Sequence, residues 1–178
     1  MAAPPEGEIM TGRITTILAM FGSVALVLAG NDNGTPSYIW NVSESVPIGL
    51  YRLQPVELLS VTDLVAIRPP EPLEAFLDLN GYLPIGVPML KRILALPGQT
   101  VCRTGLTIAV DHIELGQARE RDARGRPLPV WQGCRLLSAG EVFVMNWQSA
   151  DSFDGRYFGP IPASAVIGQA IPVWTEGE

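Results

Sequence analysis

Lysine is nearly absent from this chain: Lys91 is the only one in 178 residues, and eleven arginines supply the other basic charges. Arginine keeps its proton inside a protein, whereas a buried lysine can release it. The sole lysine is therefore a candidate for chemistry rather than for charge. Histidine is as scarce. His112 lies in the alternating stretch TIAVDHIEL, residues 107–115, and reads as an ordinary strand or turn residue. That excludes a multi-histidine metal site and leaves little room for serine–histidine–aspartate catalysis. The two cysteines, Cys102 and Cys134, lack the spacing of a zinc site. With a net charge of −6 and no basic stripe, the chain offers no face for nucleic acid. Aromatic residues are few, while 18 glycines and 16 prolines favour strands and turns over long helices.

Residues 14–30, ITTILAMFGSVALVLAG, are 17 positions without a formal charge. As a helix they would span roughly 26 Å, a little under the ~30 Å hydrocarbon core of a bilayer. A cleaved signal peptide, an uncleaved anchor and a buried core helix all fit such a run. Its length favours the uncleaved anchor. Arg13 before it, and Tyr38 and Trp40 after it, suit the two interfaces. The short leader, residues 1–13, places the N-terminus inside and residues 31–178 outside. In an oxidising compartment Cys102 and Cys134 can form a bridge worth about 3–4 kcal/mol. The alternative is two small buried apolar residues in a reduced chain.

Beyond residue 40 the chain reads as one mostly β domain. LYRL (50–53), DLVAIR (63–68), LKRILAL (90–96), LTIAV (106–110) and EVFVMN (141–146) are short, rich in branched residues and bounded by turn formers. LEAFLDLNGYL, residues 73–83, is predicted as a short helix closed by its Asn-Gly pair. ARERDARGRPLP, residues 118–129, alternates charge with turn residues and reads as a solvated hairpin tip without a catalytic role.

Three stretches stand out in this order after the apolar run: Ser43-Glu44-Ser45-Val46-Pro47-Ile48-Gly49, Lys91-Arg92-Ile93-Leu94-Ala95-Leu96-Pro97-Gly98, and Ser152-Phe153-Asp154-Gly155-Arg156-Tyr157-Phe158-Gly159-Pro160. Singly, each could be a polar turn, a strand ending in a turn, or a loop with a local ion pair. In this order they resemble the type I signal peptidases of the serine–lysine class, and more closely the conjugative transfer (TraF) branch of that superfamily. NVSESVPIGLYRL, GYLPIGVPMLKRILALPGQTVC, RDARGRPLPVWQGC and SFDGRYFGPIPASAVIGQA carry the likeness across most of residues 40–174.

The resemblance implies a signal-peptidase-like β domain preceded by one N-terminal transmembrane helix. It makes Ser45 the nucleophile and Lys91 the general base. Ser43 and the backbone N–H of Ser45 become the oxyanion donors. Ser152 becomes the group that orients Lys91, with Asp154 and Arg156 as support. Ser43 competes as nucleophile, and the Ser-x-Pro-x-Gly context prefers Ser45. Strand alternation could bring Ser43 and Ser45 to one side and point Lys91 and Arg92 to opposite faces. Asn41-Val42-Ser43 is also a glycosylation sequon, treated as incidental. Ala150-Asp151 and Gly155 stand where the general peptidases more often carry Asn and Ser, which bears on fine geometry and substrate choice.

The function this implies is a membrane-anchored serine endopeptidase that cleaves a pilin precursor for a conjugative (type IV secretion) pilus, with hydrolysis and cyclisation both open as the outcome. The partners implied are a pilin precursor or another exported pre-protein and the lipid bilayer, with no metal or organic cofactor. The location implied is the bacterial inner membrane, single-pass, with the catalytic domain in the periplasm. A general signal peptidase is the nearest alternative, and a non-catalytic component of a conjugation assembly is the next.

Overall fold

The computed structural model describes residues 36–176. The expected leader at 1–13 and the expected anchor at 14–30 lie outside the described residues. Among those that are described, no helix is long and apolar enough to cross a membrane.

MLKRILA, residues Met89–Ala95, forms strand β4, the key element of the fold. Six of its seven residues are buried, because apolar clusters cover both faces of the strand. Met89 and Ile93 pack with Val65, Ile67, Leu77, Val142 and Val144 on one face. Leu90, on the other, packs with Tyr51, Leu64, Ala66 and Ala170. Strand alternation puts Lys91 on the same face as Met89 and Ile93, so its amine is carried into an apolar layer.

Strand β4 belongs to a seven-stranded sheet. Its edge is the hairpin of β1 (Tyr38–Asn41) and β2 (Gly49–Gln54). Next to β2 comes β11 (Val166–Thr175), then β3 (Leu64–Ile67), β4, β9 (Glu141–Val144) and the short β10 (Ile161–Pro162). Every pairing is antiparallel. A second sheet, in the order β7 (Ile113–Gln117), β6 (Thr107–Val110), β5 (Thr100–Thr104) and β8 (Gly133–Leu136), is built from the residues between β4 and β9. Val101, Ile108 and Val110 of this sheet share a cluster with Leu94, Phe143 and Met145. Cys102 and Cys134 are directly opposite in the β5–β8 register and are joined by a disulfide.

The expected helix is present as α1 (Glu71–Leu79). It begins two residues before the predicted span, because Pro72 suits the first helical turn. Asn80 and Gly81 end it, the latter at φ 65°. His112 occupies the turn between β6 and β7 at φ 70°, so it is a turn residue. Gly49 is required by close approach: a Cβ there would lie 2.1 Å from the carbonyl oxygen of Trp174. This contact, with the stacking of Trp40 on Trp174 at 5.7 Å, fastens the β1–β2 hairpin to β11.

Candidate active site

The segment between β1 and β2 carries Ser43 and Ser45, and it is a turn rather than a strand. The two hydroxyl oxygens nevertheless meet at 2.8 Å, so turn geometry does what strand alternation was expected to do. One residue shapes that turn. Asn41 is buried, and its Nδ2 donates to the carbonyls of Ser43 (2.8 Å), Val46 (3.1 Å) and Pro47 (3.0 Å). Its Oδ1 accepts the backbone N–H of Ser43 at 3.1 Å. The Tyr51 hydroxyl donates to the Pro47 carbonyl at 2.6 Å and closes the far end. An asparagine side chain so engaged is not available to a sugar, so the sequon has no role as a glycosylation site.

Lys91 projects from β4 with only 5% of its surface exposed, and its Nζ donates to Ser152 Oγ at 2.9 Å. Burial drives its pKa down from the usual 10.5 to about 8. The Asp154 carboxylate opposes the shift and the Arg156 guanidinium adds to it. Arg92 points the other way, donating to the Thr62 carbonyl at 3.1 Å beside the Trp147 ring. Asn146 secures the lysine's backbone: its Oδ1 accepts the Arg92 N–H at 2.9 Å and its Nδ2 donates to the Leu90 carbonyl at 3.1 Å. These are the peptide groups on either side of Lys91.

Ser152 is buried in the loop that leads to the short helix α2 (Gly155–Phe158). Asp154 caps that helix by accepting the Arg156 N–H, and it also accepts the Asn146 N–H at 3.0 Å. Arg156 Nε and Nη2 reach the Asp154 carboxylate at 2.8 and 2.9 Å. The same Nη2 donates to the carbonyls of Ser149 (2.7 Å) and Ser152 (3.0 Å). Both residues are buried, and the charges are matched and hydrogen-bonded as a buried pair requires. The pair therefore ties the loop carrying Ser152 to the strand end carrying Asn146. Gly155 leaves no room for a side chain, since a Cβ would lie 2.6 Å from the Val144 carbonyl oxygen and 2.7 Å from the Phe143 ring. A serine at this point would need a different local packing.

Ser43, Ser45, Lys91 and Ser152 all line one cavity of about 400 Å³. Its walls include Leu77, Leu83, Met89 and Phe153, so apolar groups surround the amine and the hydroxyls. Among the described residues no hydrogen bond joins Ser45 to Lys91; each bonds to another serine instead. Asn146 was not singled out from the sequence, and Asn41 was noted only as part of the sequon. A strand-end asparagine has no sequence signature, and only the fold shows what its amide meets. Cys102 and Cys134 belong to the second sheet and do not line the cavity.

Comparison with known proteins bears on this arrangement. The family described as "Signal peptidase, peptidase S26" matches residues 10–175. The conjugal transfer protein TraF of Agrobacterium fabrum is 33% identical over 172 residues, covering 89% of this chain and 96% of that one. A plasmid transfer protein TraF of Escherichia coli is 36% identical over 179 residues, covering 92% and 97%. Signal peptidase I of Leptolyngbya laminosa is 28% identical over 100 residues, covering 56% and 46%. A crystal structure of signal peptidase I from Enterococcus faecalis aligns with 65% of this chain and 98% of its own, at 19% identity and a TM-score of 0.39. The chain, mostly β in its described residues, belongs to the signal peptidase family, a family of proteases, in its TraF branch.

Proposed function

We propose that the protein is a serine endopeptidase in which Ser45 is the nucleophile and Lys91 the general base, and that it matures a pilin precursor for conjugation. The observation that carries this reading is a buried lysine with its pKa lowered to about 8, in the same cavity as two hydrogen-bonded serines. A serine hydroxyl needs a neighbouring base to become a useful nucleophile. An unperturbed lysine would be neutral about once in a thousand molecules at neutral pH. Here the neutral amine is common enough to act.

In the proposed reaction Ser45 Oγ turns from Ser43 toward Lys91 Nζ, a tightening that resting enzymes often require. Lys91 takes the hydroxyl proton as Oγ attacks the scissile carbonyl. The Ser43 hydroxyl and the Ser45 N–H receive the oxyanion. Lys91 then returns the proton to the departing amine, leaving an ester on Ser45. Water resolves the ester to an acid, or the precursor's own amino group resolves it to a ring without ATP. Ser152 holds Nζ in place throughout. The conjugation context is supported by the names of the TraF relatives. An anchor over residues 14–30 would place residues 31–178 at the periplasmic face, beside a membrane-bound precursor with small residues before the cleaved bond.

The test is the intact mass of the candidate pilin precursor after co-expression with wild type, Ser45→Ala and Lys91→Ala. Loss of a defined terminal fragment with wild type alone is the expected result, and a further deficit of one water identifies cyclisation. Processing that survives in both variants sinks the Ser45–Lys91 assignment. An unchanged pilin alongside cleavage of other exported precursors would favour the general signal peptidase.

A further inference from the structure

Beside the catalytic cavity lies a second hollow, of about 210 Å³, that the proposed reaction does not use. Four of the chain's eleven arginines fall within residues 119–126, and all four (Arg119, Arg121, Arg124 and Arg126) line it. The segment does form a hairpin, closed by the Arg121–Pro127 bridge. It is more than a solvated tip, because Ala118 and Leu128 at its base are buried with Tyr157. Tyr82 and Phe153, stacked at 5.1 Å, complete the apolar side of the hollow.

The charges in the hollow do not balance. Two carboxylates line it, Asp122 and Asp151. Asp122 is taken by Arg126, at 2.7 Å, and by the Tyr82 hydroxyl, at 2.8 Å. Asp151 pairs with Arg119 at the surface, where both side chains are largely exposed and the pair is easily exchanged. Arg121 donates only to the Gly125 carbonyl, at 2.7 Å, and Arg124 has no ion pair among the described residues. On a chain of net charge −6, this is a local surplus of two guanidinium groups over an aromatic floor. Guanidinium groups pair with a carboxylate through parallel hydrogen bonds.

The position of the hollow indicates which carboxylate. Tyr82, Asp151 and Phe153 line both cavities. Asp151 also directly precedes Ser152, the partner of Lys91 Nζ. A peptide lying across Ser45 and leaving over the Tyr82–Phe153 pair runs into the arginines. We infer that this hollow is an extended substrate subsite that takes a carboxylate of the peptide being cleaved, either an acidic side chain or the terminal carboxylate. The inference rests on the peptidase reading and adds a charge preference to it.

The test uses the full-length protein and fluorogenic peptides with small residues before the cleaved bond. One arm scans glutamate against glutamine along the peptide; the other compares a free C-terminus with its amide. Turnover is measured with wild type and with an Arg121→Gln, Arg124→Gln double variant, and binding of the same peptides with Ser45→Ala. The expected result is about a tenfold lower KM for the carboxylate member of one pair, the size of one charge-assisted contact, weakened by salt. The glutamate arm identifies a side chain and the amide arm a terminus. In the double variant the ratio within that pair falls to one. Equal ratios in wild type and double variant overturn the subsite. So does a double variant that loses only binding to anionic phospholipid vesicles. If no peptide is cleaved yet binding to Ser45→Ala is carboxylate-dependent and needs the two arginines, the subsite stands and the peptidase reading falls.

Discussion

Asn41 and Ser43 hold each other twice: the amide of Asn41 donates to the Ser43 carbonyl, and its oxygen accepts the Ser43 N–H. Through this exchange a buried side chain on β1 sets the position of the Ser43 hydroxyl, 2.8 Å from that of Ser45.

Replacing Asn41 by alanine should therefore lower kcat by about one to two powers of ten with little change in KM, as loss of a transition-state donor does. The unpaired carbonyls should also cost about 1–3 kcal/mol of stability. Steady-state kinetics beside a denaturant titration checks this. A variant that is equally destabilised but keeps kcat would show that Asn41 supports the fold alone.

If neutral Lys91 is the base, kcat/KM should rise with pH and level off, with an inflection at about 8. With that value roughly a tenth of the lysines are neutral at pH 7 and about nine-tenths at pH 9. Lys91→Arg should be inactive at every pH, because a guanidinium keeps its proton. A flat profile between pH 6 and 9 would contradict the assignment.

Asp154→Asn tests the charge behind the lysine. The carboxylate favours the protonated amine, so its removal should move the inflection below that of wild type, whereas burial and Arg156 already act in that direction. Arg156 also loses its buried counter-charge, for a stability loss of about 3–5 kcal/mol. Profiles recorded well below the melting temperature separate the two effects. An inflection that moves upward would refute the electrostatic account.

Gly155→Ser should be poorly tolerated. Its Cβ would collide with the Val144 carbonyl and the Phe143 ring, and overpacking of this kind costs about 1–3 kcal/mol. Thermal unfolding gives the answer, and an unchanged midpoint would show that β9 can yield at this point.

The disulfide should matter for stability rather than catalysis. Substituting Cys102 and Cys134 together by serine opens a bridge of sequence separation 32, which on the chain-entropy estimate removes about 3–4 kcal/mol. Because neither cysteine lines the cavity that holds Ser45 and Lys91, kcat/KM measured below the melting temperature should stay within about twofold of wild type. A large loss of activity would couple the second sheet to the site.

Parts of the molecule were legible in the sequence for identifiable reasons. LYRL, DLVAIR and LKRILAL are branched, apolar and bounded by turn formers, and they are β2, β3 and β4. The ten-residue β11 was not legible, since VIGQAIPVWT holds a glycine and a proline that argue against a strand. The fold accepts them at irregularities: the register shifts between Val166 and Gly168 and again between Pro172 and Trp174. Ser45, Lys91 and Ser152 could be singled out because their three stretches, each ordinary or odd alone, occur together in the order of the signal peptidases, and because Lys91 is the sole lysine. The parts played by Asn41 and Asn146 come from which carbonyls and N–H groups the folded chain brings to their amides. The arginines were visible as a run of alternating charge and turn residues, while the aromatic floor beneath them comes from two distant stretches, one with Tyr82 and one with Phe153 and Tyr157.

The place of β11 bears on when the protein becomes a protease. The hairpin of β1 and β2 that presents the serines and the pair of β3 and β4 that presents the lysine share no hydrogen-bonded edge. Both are laced to β11, Val166–Thr175, the last of the described strands in chain order. Without it the chain carries its hydroxyl and its amine on two separate ladders. Only when β11 is seated between β2 and β3 do the two ladders become one sheet.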